Sequence, residues 1–124
     1  MGWLRRRSRF AGVDFLDLVP ERTVASEEDP QSHDVVLLMP RFLGTFYYHL
    51  LQRFVKGPKR FIRVPLEARG TVLWRGIDGV RTVRDLLADF VAAFPEEDDP
   101  ADRVCRYVYQ LEQNRFVLFL NFPR

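Results

Sequence analysis

The segment 71–87, TVLWRGIDGVRTVRDLL, decides how the rest of the chain is interpreted. An apolar stretch that contains a tryptophan stops at Asp78-Gly79, a dipeptide typical of turns. A second amphipathic stretch starts at Thr82, only three positions after Gly79. The segment therefore predicts one helix on each side of a tight corner.

The two helices have recognisable limits. The first covers roughly 67–77, and the second begins with TVRD, a capping box that starts at Thr82. In such a box the Thr82 hydroxyl accepts a hydrogen bond from the Asp85 amide, and the Asp85 carboxylate reaches back to the start of the helix. Pro95 ends this second helix.

A third helix follows the acidic stretch EEDDPAD. Asp98 or Asp99 can cap it, and Pro100 suits its first turn. The spacing i, i+3, i+4, i+7 predicts that one face belongs to the core, formed by Val104, Tyr107, Val108 and Leu111.

Four other segments have the composition of strands: 21–28 (ERTVASEE), 35–40 (VVLLMP), 61–66 (FIRVPL) and 116–122 (FVLFLNF). Proline has no amide hydrogen to donate, so Pro65 predicts that the 61–66 strand lies at a sheet edge or pairs on one side only. Alternation predicts that Ile62, Val64 and Leu66 share one face of the strand; if that face is the core side, Phe61 and Arg63 face outward.

Two segments extend this pattern. Apolar pairs repeat every four residues over 41–58, which predicts an extra amphipathic helix ended by Lys56-Gly57-Pro58. The region 1–20 is interpreted as an N-terminal arm, basic at first because it carries Arg5, Arg6, Arg7 and Arg9.

Composition narrows the class of protein. With 124 residues, 47% of them hydrophobic, one compact domain can form without disulfides or metals. A single cysteine, Cys105, excludes an internal disulfide and suits a reducing compartment. No segment resembles a signal peptide or a membrane span, so the expectation is a cytoplasmic protein.

Motifs for catalysis are missing from the sequence. It contains no glycine-rich phosphate loop, no metal-binding pair of histidines or cysteines, and no serine in a glycine-rich elbow. His33 and His49 have no ligand spacing, and the acidic stretch lacks the alternation of a calcium loop. We therefore expect no catalytic residues, no metal and no cofactor.

The quoted segment, together with VVLLMP and with the downstream DRVCRYVYQLEQNRFV, resembles the PqqD family, which is related to coenzyme PQQ synthesis protein D. The matching pattern is a strand ending at Leu66, a helix with Trp74, the turn Asp78-Gly79, the cap at Thr82, and a last helix that leads into a Phe-Val strand. The similarity covers roughly residues 20–120.

The resemblance implies an α+β, winged-helix-like fold. In it a small antiparallel sheet of about three strands packs on three C-terminal helices. The predicted helix at 41–58 is then an insertion between strands two and three, and the domain spans 21–124, with the basic arm 1–20 before it.

The resemblance also implies a function. Such domains bind the leader of a ribosomally synthesised precursor peptide by strand addition and present it to a modifying enzyme, commonly a radical-SAM protein. In the family, the leader lies between the third strand and the third helix. Mapped here, these are FIRVPL and 99–114.

The candidate peptide-binding residues follow from that mapping: Phe61, Arg63, Pro65, Arg103, Tyr107 and Gln110. On the third helix Cys105, Tyr109 and Glu112 form the opposite flank, and the sequence alone does not decide between the flanks. Arginine beside tyrosine favours the first.

Two other functions stay open. Three helices and a strand also suit a winged-helix DNA-binding protein, but the acidic start of the third helix would repel phosphates, so no nucleic acid is expected. Alternatively the aromatic helix at 41–58 could dock the chain as a structural subunit of a larger enzyme complex. A homodimer is possible as well.

Overall fold

The structure is a computed structural model that describes residues 14–40 and 61–122. The predicted helix at 41–58 and the four arginines of the predicted arm lie outside the described residues. Contacts divide the described chain into two compact units. One unit comprises 14–23 and 69–122, and the other comprises 24–40 and 61–68.

Three helices build the first unit: α1 (Ala68–Gly76), α2 (Val83–Ala93) and α3 (Pro100–Gln113). All three lie where the sequence predicts helices, within one or two residues at each end. Their largest buried side chains, which form the centre of this unit, are those of Leu73, Trp74, Val83, Leu86, Phe90, Val104 and Val108.

The corner between α1 and α2 has the geometry that the sequence predicts. Asp78 Oδ1 accepts hydrogen bonds from the amides of Val80 and Arg81, both at 2.9 Å. These two bonds, the Arg81 amide first, hold the pKa of the Asp78 carboxyl below its ordinary value. Gly79 supplies the left-handed residue, with φ +79°.

The predicted capping box at the start of α2 is confirmed. The Asp85 amide donates to Thr82 Oγ1 at 3.2 Å, and the Thr82 amide donates to Asp85 Oδ2 at 3.0 Å. Both bonds satisfy amides that have no partner within the helix.

The segment before the first strand completes this cap. It forms a short 3₁₀ helix (Phe15–Asp17), and the carbonyl of Leu18 then accepts from the Val83 amide at 2.9 Å. Phe15 is only 2% exposed, and Leu18 is buried as well. The core of the first unit therefore extends into the segment that sequence analysis assigned to the N-terminal arm.

The strand predicted over 21–28 is wrong as a single element, because two strands occupy it. β1 (Pro20–Arg22) pairs antiparallel with β5 (Val117–Phe119), whereas β2 (Ala25–Glu28) pairs with a different strand. Thr23 separates them because its amide and hydroxyl donate to the carbonyls of Phe116 and Arg115. These bonds hold Thr23 in the first unit, and the chain enters the second unit after it.

The second unit is an antiparallel sheet of three strands in the order β2–β3–β4, where β3 is Val35–Pro40 and β4 is Phe61–Pro65. Among the described residues β4 hydrogen-bonds to β3 alone, and the predicted edge position agrees with this part of the chain. Ile62, which shares its face of the strand with Leu66, is 40% exposed, so this face is not covered along its whole length. Leu66 is buried as predicted.

Together these elements confirm the α+β class, with three helices and small antiparallel sheets in the described residues. Within 14–40 and 61–122, no helix combines the length and the apolar character needed to cross a bilayer.

Candidate functional site

The helix α3 buries most of one of its two flanks. Its central ridge consists of Val104, Val108 and Leu111, all buried. Cys105 and Tyr109 flank this ridge on one side and are only 4% and 7% exposed. These two side chains therefore belong to the interior of the unit, while Glu112, the third residue of this flank, is partly exposed.

The opposite flank is accessible. Arg103 and Gln110 are exposed and Tyr107 is half-buried. These three residues follow one another at i, i+4 and i+7, and therefore lie along one stripe of the helix. Arg106 belongs to the same stripe at i+3 and is exposed as well.

This stripe borders a cavity of about 280 Å³, and all its described lining residues belong to the first unit. All three helices contribute to its wall: Arg69 and Leu73 from α1, Phe90 from α2, and Arg103, Arg106, Tyr107 and Gln110 from α3. Leu73 and Phe90 are almost fully buried, at 1% and 2% exposed, and form the apolar bottom of the cavity. The three arginines supply a cationic rim.

The rim is organised around one carboxylate. Arg69 binds Glu97 through two bonds, Nε to Oε1 at 2.7 Å and Nη2 to Oε2 at 3.2 Å. Arg103 approaches the same Oε1 more loosely, with Nη1 at 3.7 Å, while its Nε donates to the Asp98 carbonyl at 2.8 Å. The guanidinium of Arg69 also lies over the Phe94 ring, 5.5 Å from its centroid.

This arrangement changes the acidity of Glu97. The hydrogen bond from Arg69 is the main cause that holds the pKa of the Glu97 carboxyl below its ordinary value, and the charge of Arg103 acts in the same direction. Glu97 is therefore ionised at neutral pH. Arg106 has a separate partner, Asp102, at 3.0 Å.

The strand β4 carries the other predicted residues, in the second unit. The Leu66 amide donates to the Val35 carbonyl, and the register pairs Leu37 with Val64. In an antiparallel ladder every second residue bonds to its neighbour, so the amide and carbonyl groups of residues 62, 64 and 66 point toward β3. The amide and carbonyl groups of residues 61 and 63, and the carbonyl of Pro65, point to the opposite edge.

Pro65 fits this pattern. It faces Val36 in a pair that exchanges no backbone hydrogen bonds, so its missing amide hydrogen costs the β3–β4 ladder nothing. On the outer edge it leaves a carbonyl but no donor. The Arg63 amide is therefore the central donor of that edge.

The side chain of Arg63 is more engaged than the sequence predicts. It forms an ion pair with Glu27 on β2, reaching across β3 on one face of the sheet. Its side chain remains about half exposed. The side chain of Phe61 lies outside the described residues, although its backbone belongs to β4.

The predicted site residues thus fall into two groups. The structure brings Arg103, Tyr107 and Gln110 together at the cavity of the first unit, and it places Arg63 and Pro65 on the edge strand of the second. Sequence reasoning missed Arg69, Leu73, Phe90 and Arg106. Of these, only Arg106 had a signal in the sequence, because it shares the helical stripe of Arg103 and Gln110.

The described residues show no cluster of three or more histidine, cysteine or acidic side chains that could hold a metal ion. His33 lies in the turn between β2 and β3, where its Nδ1 is 2.9 Å from Glu28 Oε1. Both side chains are exposed.

Comparisons of the chain with models of known protein families, with curated proteins and with solved structures found no match. The resemblance to the PqqD family therefore depends on the residues quoted from the sequence.

Proposed function

We propose that this protein is a non-catalytic peptide-binding module. It binds the leader of a ribosomally synthesised precursor peptide by strand addition at β4 and presents it to a modifying enzyme such as a radical-SAM protein. The observation that carries the proposal is the outer edge of β4, which has a strand neighbour on one side only among the described residues.

An edge of this kind suits an extended peptide. Residues 61 and 63 offer both an amide and a carbonyl outward, and Pro65 offers a carbonyl. Main-chain bonds of this type supply affinity that is independent of peptide sequence, and neighbouring side chains supply selectivity. The missing donor at Pro65 limits the length over which an added strand can pair.

The accessible flank of α3 supports the same function. The opposite flank suits a ligand less well, because Cys105 and Tyr109 are buried. The flank chosen from sequence instead borders a cavity with an apolar floor, a common way to anchor one peptide side chain. Arginine and tyrosine are also frequent in the energetically dominant part of peptide and protein interfaces.

DNA binding is supported less well. Three arginines surround the cavity, but Glu97 and Asp102 already pair with them. Further carboxylates stand beside the start of α3, at Glu96, Asp98 and Asp99. Phosphates would meet these negative charges first. A steep loss of affinity for DNA with added salt would be the signature of that alternative.

The test uses two variants at one position. Arg63→Pro removes the outward amide donor and leaves every β3–β4 ladder bond in place, because Arg63 points away from β3. Arg63→Ala removes the same side chain and its ion pair with Glu27 but keeps the donor. Proline is compatible with an edge strand, and residue 62 already has the extended conformation that a following proline requires.

The ligands are synthetic peptides that correspond to short open reading frames beside this gene, labelled for fluorescence anisotropy. A donor lost from a desolvated strand pair costs about 1–3 kcal/mol, so Arg63→Pro should weaken binding about tenfold relative to Arg63→Ala. Thermal unfolding of both variants checks that the sheet persists. Equal affinities for a peptide that binds the wild type would exclude strand addition at β4.

The same edge could instead pair with β4 of a second copy. Sedimentation of wild type and Arg63→Pro separates these outcomes. Strand addition by a peptide predicts that both proteins sediment alike without peptide, whereas a dimer through β4 predicts that only the wild type forms it.

A further inference from the structure

The cavity of the first unit has a size that restricts its occupant. At about 280 Å³ it lies just below the roughly 300–1,000 Å³ typical of sites for drug-sized ligands. One or two side chains of a peptide fit this volume better than a whole cofactor does. Its apolar floor, made by Leu73 and Phe90, favours an aliphatic or aromatic group.

The charges of the rim restrict the occupant further. Three guanidinium groups stand around the cavity, and two carboxylates, Glu97 and Asp102, pair with them. Counting only these five groups, the rim keeps an excess of one positive charge, and the neighbouring carboxylates of Glu96, Asp98 and Asp99 reduce the positive potential around it. Glu97 is mostly covered, with a side chain 15% exposed, so it is held in place rather than exchanging freely with solvent.

Arg103 is the guanidinium that can most easily accept a second carboxylate. Its Nη1 is 3.7 Å from Glu97, beyond a hydrogen bond, whereas Arg69 holds the same carboxylate through two close bonds. Its Nε is committed to the Asp98 carbonyl, which fixes the direction of the guanidinium plane. Planar guanidinium groups recognise carboxylates with two parallel bonds, and Arg106 stands one turn along the same stripe.

We infer that this cavity binds an apolar peptide side chain whose neighbouring residue carries a carboxylate, with the apolar group on Leu73 and Phe90 and the carboxylate on Arg103. This inference rests on the proposed function and adds the class of peptide that the module selects. An acidic residue next to leucine or a similar side chain is then the recognised feature.

A defined peptide set tests the inference. The probes are the hexapeptide acetyl-Gly-Ser-Leu-Glu-Ser-Gly-amide and three matched peptides, with leucine replaced by alanine, glutamate replaced by glutamine, or both. Each is titrated into isotope-labelled full-length protein, and the backbone amide shifts of Phe90, Tyr107 and Gln110 report binding at the cavity.

The expected order of affinity follows from the two parts of the site. Replacing leucine by alanine should weaken binding about tenfold through lost apolar contact. Replacing glutamate by glutamine should weaken it about threefold, as for an exposed ion pair. In Arg103→Gln the glutamate and glutamine peptides should bind equally well, while the preference for leucine persists.

Arg84→Gln is the matched control, because it removes one exposed arginine that pairs with Asp14 and Asp17 and does not line the cavity. It should keep the preference for glutamate. The inference is overturned if the four peptides bind alike, if no cavity amide shifts at the highest soluble concentration, or if Arg103→Gln keeps the glutamate preference.

The candidate leaders form a second arm that separates the two proposals. A leader that shifts the Arg63 amide but not the cavity amides supports strand addition and overturns the selectivity inferred here. Hexapeptide binding with no binding of any leader supports the cavity and contradicts the leader-binding function.

Discussion

Replacing Gly79 by alanine tests whether the corner between α1 and α2 depends on a left-handed backbone. At φ +79° a residue with a β-carbon is strained by about 1–2 kcal/mol. The same change restricts the unfolded chain, which acts in the opposite direction by roughly 0.4–1 kcal/mol. We therefore expect the free energy of unfolding to fall by about 1 kcal/mol.

Contacts at the corner alter this value little. A β-carbon at residue 79 would lie 3.2 Å from Glu21 Oε1 and 3.6 Å from Leu120 Cδ1. The first is the end of a flexible, exposed side chain that can move by a few tenths of an ångström. The hydrogen bond from the Gly79 amide to the Pro20 carbonyl, at 3.2 Å, involves no side chain and should persist.

Gly79→Asn is the matched control for the strain. It adds the same β-carbon and restricts the unfolded chain in a similar way, but asparagine adopts the left-handed region more readily than alanine does. Its cost should be less than half that of Gly79→Ala. Urea denaturation, followed by the fluorescence change as the core tryptophan becomes exposed, gives both values if the slope stays constant. Equal stability losses for the two variants would show that the strain argument is wrong.

Three further predictions concern stability. Thr82→Ala removes half of the capping box and should cost about 1 kcal/mol in urea denaturation, with unchanged peptide affinity in the folded protein; a selective loss of affinity would mean that the corner contacts the ligand. Gly76→Ala places a β-carbon 2.6 Å from Leu86 Cδ2 in the core, and the same assay should show a loss of about 1–3 kcal/mol; no loss would contradict the close packing of α1 on α2. Hydrogen bonds from arginines lower the pKa values of the Glu97 and Asp89 carboxyls in the folded state, so the stability from these ion pairs is complete above the ordinary pKa values of 4.5 and 3.8 and is lost as the pH falls through the lowered ones. The unfolding free energy of Glu97→Gln should therefore drop less on acidification than that of the wild type, and an identical drop would contradict this role of Glu97.

Local sequence signals predicted the helical part of the fold well. The capping box at Thr82 and the turn at Asp78-Gly79 depend on residues two or three positions apart, and the structure reproduces both. The prediction for the start of α3 was only partly correct. Asp99 occupies the cap position, but it adopts a left-handed conformation and its side chain makes no capping bond.

Strand partners were harder to predict because they depend on distant residues. Nothing within 21–28 shows that its first half pairs with β5, nearly a hundred residues later, while its second half pairs with β3. Alternation places Ile62 and Leu66 on the same face of the 61–66 segment. It does not predict that Leu66 is buried while Ile62 is 40% exposed.

At the candidate site, too, contacts between residues distant in the sequence could not be predicted. Helical spacing placed Arg103, Tyr107 and Gln110 on one stripe, and the structure shows that this stripe is accessible. The floor of the cavity comes from α1 and α2, so Leu73 and Phe90 looked like ordinary core residues in the sequence. The ion pair between Glu97 and Arg69 joins positions 28 residues apart and has no local signature.

Amide hydrogen exchange at Arg63, measured with and without a bound candidate leader, tests strand addition most directly. The Arg63 amide points to the outer edge of β4, whereas the Val64 amide already belongs to the ladder with β3. The account predicts that the bound peptide slows exchange of the Arg63 amide strongly and changes that of Val64 little. A leader that binds and leaves the exchange of Arg63 unchanged would contradict it.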